Sequence, residues 1–214
     1  MRYEYVLFDL DGTLMDTSEG ILKAIDYTVE KCGYPVLSEE KKKTFIGPPI
    51  YNSLKLEYSL TDEEAHKAMD IFRDIYKDEY LCDAIIYEEI EELLLSLQNN
   101  NIKIGVATYK REDYAIKLIE AFDLMKYFDI VVGADADNIL TKADIIQICI
   151  DKMGCVDLSK AVMVGDTLSD MDSAKSVRID SIAVTYGFGL DKNNIKDYNF
   201  KQVADSVKGI LECL

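Results

Sequence analysis

The strongest constraint on how this chain folds is a rhythm of short, unbroken apolar runs. They occur at Tyr5–Phe8, Ile102–Ala107, Ile130–Val132, Ala161–Val164 and Ser181–Val184. Runs of strand length that do not alternate with polar residues suit strands buried on both faces, as in a parallel sheet. Helical patterns separate the last four. Ala115, Leu118, Ile119 and Phe122 recur at helical spacing, as do Ile145, Ile146, Cys149 and Ile150. Strand alternating with helix predicts an α/β fold with a doubly wound, Rossmann-like parallel sheet and right-handed crossovers.

The first interval breaks the rhythm. Between Phe8 and Ile102 the chain shows no convincing strand and is far too long for one crossover. Residues 18–32 read as a helix stopped by Gly33 and Pro35. Thr61-Asp62-Glu63-Glu64 has capping-box spacing and predicts a helix running to about Tyr80. All 3 prolines (Pro35, Pro48 and Pro49) fall in this interval. The economical account is a small all-helical domain over residues 16–84, inserted in an α/β core made of residues 1–15 and 85–214. A helix over residues 88–98 returns the chain to the core, and Lys41–Lys43 reads as a solvated helix face.

Composition narrows the function. The 214 residues carry 24 Lys and Arg against 40 Asp and Glu, a formal charge of −16. That disfavours nucleic acid and anionic membranes as partners, because both need a basic face. A small anionic substrate remains compatible, since a few local cations or a bound metal reverse the field inside a pocket. The 5 cysteines form an odd set without a C-x-x-C pair, so reduced thiols and a cytoplasmic location are expected. No leader pattern and no membrane-spanning apolar stretch are visible in the sequence. With 1 histidine, His66, and 5 scattered cysteines, carboxylate chemistry is a better expectation than a Ser-His or Cys-His scheme.

The acids sit at informative places. The first predicted strand ends in Phe8-Asp9-Leu10-Asp11-Gly12-Thr13. Paired carboxylates at the carboxyl end of a strand lie where open α/β sheets bind ligands, and Gly12 allows the chain to turn away sharply. A plain Asx-rich turn is the structural alternative. The fourth strand ends in Gly165-Asp166-Thr167-Leu168-Ser169-Asp170. Asp166 could simply end that strand, with Ser169 or Asp170 capping the next helix. If the two acidic strand ends meet, their carboxylates repel unless a cation sits among them, and oxygen-only ligands suit Mg²⁺. Thr108, at the end of the second strand, offers a hydroxyl and the neighbouring backbone N–H to phosphoryl oxygens; its alternative is a helix N-cap. Lys142 opens the helix after the third strand as a point charge for phosphate, with Lys110 as its rival.

This ordered set (DLDGT, a strand ending in Thr108, Lys142, then GDTLSD) resembles the haloacid dehalogenase superfamily of phosphohydrolases. The resemblance spans essentially the whole chain. Phe45–Ile50 in the insert and Thr185–Gly189 near the end are similar to the phosphoglycolate phosphatase-like branch, which includes 5′-nucleotidase-like members. In many relatives a small polar residue and then Lys-Pro follow the threonine, whereas here Tyr109-Lys110-Arg111 does; Ala143 follows Lys142 where Pro is common.

The resemblance implies a Mg²⁺-dependent phosphatase acting on a small phosphorylated metabolite, as a monomer or a homodimer. It implies Asp9 as the nucleophile forming an aspartyl-phosphate. Asp11 becomes the acid and then the base, with Gly12, Thr108 and Lys142 at the phosphoryl oxygens. It places Mg²⁺ on Asp9, the Asp11 carbonyl, Asp166 and Asp170, and puts substrate selection on the cap residues Gly47, Pro48, Pro49 and Ile50. A phosphosugar mutase shares this machinery and differs in its product. A haloalkanoate dehalogenase lacks an acid at the position of Asp11. A receiver-like signalling module would need no cap and would keep its aspartyl-phosphate.

Overall fold

Tyr5–Phe8 forms β1, the strand on which the rest of the sheet is assembled. Val6, Leu7 and Phe8 point to alternate faces and are at most 1% exposed, so both faces of this strand are covered. The computed structural model describes residues 2–137, 139–198 and 200–214. Its larger sheet joins β1 to β4 (Lys103–Arg111), β5 (Ile130–Ala134), β6 (Ala161–Gly165), β7 (Asp180–Val184) and β8 (Val203–Ala204). Every pairing is parallel, in the order β5-β4-β1-β6-β7-β8. This is the doubly wound order, with the direction of winding reversing beside β1.

The helices follow the strands. They are α5 (Ile90–Asn99), α6 (Glu112–Ala121), α7 (Lys142–Met153), α8 (Leu168–Ser176) and α9 (Val207–Cys213). On one face Ile145, Ile146, Cys149 and Ile150 of α7 bury against Leu7, Ala107, Val132 and Met163. These are the residues whose helical spacing announced the crossover.

The chain divides into two compact units, one comprising Met1–Asp16 and Ile86–Leu214, the other Thr17–Ile85. The second unit contains α1 (Ser18–Cys32), α2 (Glu39–Lys43), α3 (Ile50–Tyr58) and α4 (Asp62–Ile75), followed by a π-helical turn over Tyr76–Tyr80. Gly33 ends α1 in the left-handed region at φ 68°, and Thr61 and Glu64 close a reciprocal capping box at the start of α4. In this unit Phe45 and Ile46 are buried, Pro48 is exposed, and Gly47, Pro49 and Ile50 are half-buried, Pro49 standing immediately before α3.

Several details differ from the sequence expectation. Met15–Asp16 (β2) and Ile85–Ile86 (β3) pair as a two-stranded ribbon, and β8 adds a sixth strand to the main sheet. Two-residue strands are too short to leave a pattern. Lys42 is not solvated: it is 8% exposed and its Nζ lies 2.8 Å from both Asp26 and Glu39. A lysine's long apolar stem can be covered once its ammonium has partners.

The packing around β1 predicts a definite cost. Leu7→Ala removes a fully buried side chain from the central strand and should destabilise the protein by about 3 kcal/mol. Chemical denaturation checks this; a loss below about 1 kcal/mol would mean that the site collapses around the void.

Candidate active site

The parallel sheet delivers the acids of the DLDGT and GDTLSD motifs to one end. Phe8 is in register with Val164 on one side and Val106 on the other. Asp9 and Asp166, just past β1 and β6, and Thr108, two residues beyond Val106 within β4, therefore reach the same carboxyl edge, on either side of the reversal point. All the site residues described here belong to the first unit.

Asp9, Asp166 and Asp170 are buried together, each contributing an oxygen within 4.8 Å of the others. Lys142 is 2% exposed and its Nζ lies 2.8 Å from Asp9 Oδ1 and 2.8 Å from Asp170 Oδ1. Neither oxygen makes a well-directed hydrogen bond, although both are shielded from solvent. Burial dominates the electrostatics. It raises the Asp9 carboxyl to about 7 against the pull of Lys142, with Asp170 and Asp166 adding to the rise. It raises Asp166 to about 6, with Asp170 the next cause. Burial alone would push the Lys142 ammonium down, but Asp170 and Asp9 outweigh it and hold its pKa above the ordinary lysine range.

The backbone around this cluster is arranged to let the acids approach. Gly12 has φ 83°, and a Cβ there would overlap the Asp166 carboxylate. Asp166 Oδ2 accepts hydrogen bonds from Phe188 N at 2.7 Å and Gly189 N at 3.2 Å. Gly187 makes that loop possible, because a side chain would collide with Gly12 O and the Asp166 carboxylate. Asp166 Oδ1 has Thr13 Oγ1 only as a long contact, at 3.5 Å.

Asp170 is held from its own helix. Its Oδ2 accepts from Thr167 N at 3.0 Å and Thr167 Oγ1 at 2.6 Å, and Asp170 N donates to Thr167 Oγ1. Thr167 is thus the N-cap of α8, rather than Ser169 or Asp170. The pattern T-x-x-D is the capping-box spacing already legible at Thr61.

Thr108 lies inside β4, which runs on to Arg111 with a register irregularity between Ala107 and Arg111, so it caps no helix. It is 1% exposed and its Oγ1 accepts from Lys110 N at 3.1 Å. Lys110 itself pairs with Asp11, 3.0 Å from Nζ to Oδ1. Tyr109 has a role that no sequence motif announced. Its hydroxyl accepts a hydrogen bond from Lys142 N at 2.9 Å, and its ring centroid lies 5.7 Å from Lys142 Nζ. It occupies the first backbone N–H of α7, which has no partner within the helix.

Such a set can hold a hard divalent cation. Three buried carboxylates face one ammonium, two of their oxygens lack directed donors, and the cluster offers only oxygen ligands. The raised carboxyl pKa values come from burial first and from the crowding of these acids second.

A linkage follows for the metal-free protein. Asp9 and Asp166 keep their protons to about 7 and about 6 in the fold, against an ordinary 3.8. Between about pH 4 and pH 7 the folded state then binds more protons than the unfolded state, so their contribution to stability falls as pH rises. A cation needs the deprotonated oxygens, so its stabilisation should grow through that window. The expected outcome is a larger Tm increment from saturating Mg²⁺ at pH 8 than at pH 5. Equal increments at both would show that these acids do not bind the ion.

Residues 6–184 match the model of the family described as "Haloacid dehalogenase-like hydrolase". A protein of Caldanaerobacter subterraneus named pyrophosphatase PpaX is 34% identical, over 100% of this chain and 97% of its own length. A 5′-nucleotidase of Pseudomonas aeruginosa is 29% identical over 89% and 86%. A phosphoglycolate phosphatase of Vibrio parahaemolyticus is 28% identical over 97% and 94%. Among solved structures, a predicted phosphatase of Clostridium acetobutylicum superposes with a TM-score of 0.91 at 35% identity, covering 99% of this chain and 100% of its own. With the acids, the lysine and the doubly wound sheet in place, the chain belongs to the haloacid dehalogenase-like hydrolase family.

Proposed function

We propose that this protein hydrolyses small phosphomonoesters through an aspartyl-phosphate on Asp9, with Mg²⁺ as its metal. The observation that carries the reading is the buried arrangement in which Lys142 bridges Asp9 and Asp170, 2.8 Å from each, beside Asp166. In the first step an Asp9 oxygen bonds to phosphorus as the bond from phosphorus to the leaving oxygen breaks, and Asp11 gives that oxygen its proton. In the second step Asp11 takes a proton from water, the water oxygen bonds to phosphorus, and the Asp9 carboxylate leaves. Lys142, the Thr108 hydroxyl and the backbone at Gly12 would hold the phosphoryl oxygens. Asp9, Asp166, Asp170 and the Asp11 carbonyl would hold Mg²⁺. When bound, that ion neutralises charge between the anionic nucleophile and the anionic ester.

The names of the three relatives imply three leaving portions: phosphate, glycolate and a nucleoside. Phosphoglycolate-like esters are the substrates we favour, with nucleoside 5′-monophosphates as the second class, and a small phosphorylated metabolite as the partner in either case. Gly47, Pro48, Pro49 and Ile50 are assigned a part in selection among them, because the phosphoryl-binding residues read nothing beyond the phosphoryl group.

Two measurements test this reading. Asp9→Asn keeps the shape and removes the attacking charge, so kcat should fall by at least about a thousandfold with an unchanged circular dichroism spectrum. Near-normal phosphate release would remove Asp9 from the chemistry. Substitutions at Gly47–Ile50 should alter the ratio of kcat/KM between the best natural ester and p-nitrophenyl phosphate. A uniform fall of both would assign the segment to folding.

A further inference from the structure

Lys110 stands apart from the phosphoryl-binding cation. Its Nζ lies 3.0 Å from Asp11 Oδ1, and the two side chains are 6% and 12% exposed. Lys142 faces Asp9 and Asp170, so the two ammonium groups are assigned to different acids. The backbone fixes Lys110 closely. Its N–H donates to Thr108 Oγ1, and β4 re-enters register with β5 at Arg111. An ammonium held beside the residue that protonates the leaving oxygen is within reach of whatever that oxygen carries.

We propose that Lys110 reads a second negative charge on the leaving portion, so that the preferred substrates carry a carboxylate or phosphate close to the bridging oxygen. The proposal rests on the phosphatase reading, in which Asp11 faces the leaving oxygen. Its physical basis is the sign of the surroundings. In a chain of formal charge −16, with Asp9, Asp11, Asp166 and Asp170 at one sheet edge, each anionic end of a substrate needs its own cation. Lys142 meets the phosphoryl end, and Lys110 is the ammonium placed beside Asp11. A neutral leaving portion such as a nucleoside gains nothing from that charge. A carboxylate or phosphate forms a charge-assisted hydrogen bond with it, and lysine, a compact point charge, accepts either geometry.

A matched pair of esters tests this with the full chain and Mg²⁺. 2-Phosphoglycolate and 2-hydroxyethyl phosphate share a phosphoryl group and a two-carbon leaving portion, and differ in carboxylate against neutral hydroxymethyl. The wild type should favour the charged ester in kcat/KM by about ten- to a hundredfold, the range for one charge-assisted hydrogen bond. In Lys110→Met both esters lose activity, because Asp11 loses this ion pair, and the ratio falls to about one; Lys110→Arg retains most of it. The same ratio can be read without turnover, as Kd by calorimetry in Asp9→Asn with and without Lys110→Met. A wild-type ratio near one, or a ratio that Lys110→Met leaves unchanged, overturns the proposal and leaves the phosphatase reading standing. Failure of the wild type to hydrolyse either ester or p-nitrophenyl phosphate removes the phosphatase reading, and this inference with it.

Discussion

Three aspartates and one lysine are buried together away from solvent, and the surrounding structure is arranged around that imbalance. Buried charges are costly unless each is matched. Here Asp166 and Asp170 are matched by halves. One oxygen of Asp166 is held by the N–H groups of Phe188 and Gly189, and one oxygen of Asp170 by the Thr167 cap. The other oxygen of Asp170 faces Lys142 without a directed hydrogen bond, and Asp166 Oδ1 has only the long Thr13 contact. One oxygen therefore fixes the side chain to the fold, and the other, held less firmly, could serve a metal ion. Burial first, and then the repulsion among the acids, raise the Asp9 carboxyl to about 7 and the Asp166 carboxyl to about 6.

Much of this was legible because hydrophobic burial writes continuous patterns. β1 coincides with the run Tyr5–Phe8, and α1 with the segment from Ser18 to the Gly33 stop. Asp9 and Asp166 were found as acids at the ends of apolar runs, and the sheet brings them together. What escaped shows the limit. The donors to Asp166 are backbone N–H groups, which have no side-chain signature; only the glycines of Gly187-Phe188-Gly189 hinted at a close approach. Tyr109 was visible as a departure from the family pattern, but its hydroxyl meets the Lys142 amide only through tertiary packing. Thr167 could have been read, since its spacing to Asp170 repeats the capping box at Thr61. Lys42 and the short β8 carried no local signal.

The sheet topology also explains why an acidic site can serve an anionic ester. In a parallel α/β sheet each crossover helix starts at the carboxyl end of the preceding strand, so helix N-termini and their partial positive charges collect there. α7 begins at Lys142 and α8 at Leu168, each with a reciprocal capping box, Thr141 with Asp144 and Thr167 with Asp170. Lys142 thus adds a full charge to a helix end that is already partly positive. The capping acids accept from the N–H groups of their own N-cap threonines, the threonine hydroxyls accept from Asp144 N and Asp170 N, and Tyr109 accepts from the amide of Lys142. Several of these amides are engaged within the fold, which leaves side chains such as Lys142 to supply much of the attraction that an anion would meet there.

That occupation separates this arrangement from sites that cradle phosphate on bare helix amides. With Lys142 N, Asp144 N and Asp170 N committed, attraction for an anion would come mainly from ammonium groups and from any cation that the acids hold. Both can be placed by single residues. Lys142 is set by the first turn of α7 and by Asp9 and Asp170, Lys110 by its own N–H on Thr108 and by Asp11. A sheet edge that folds as a cluster of carboxylates can then distinguish anions by where their charges lie. Positive charge sits at two positions fixed by different acids, so a ligand matching both is separated from one matching a single position by the strength of one charge-assisted hydrogen bond.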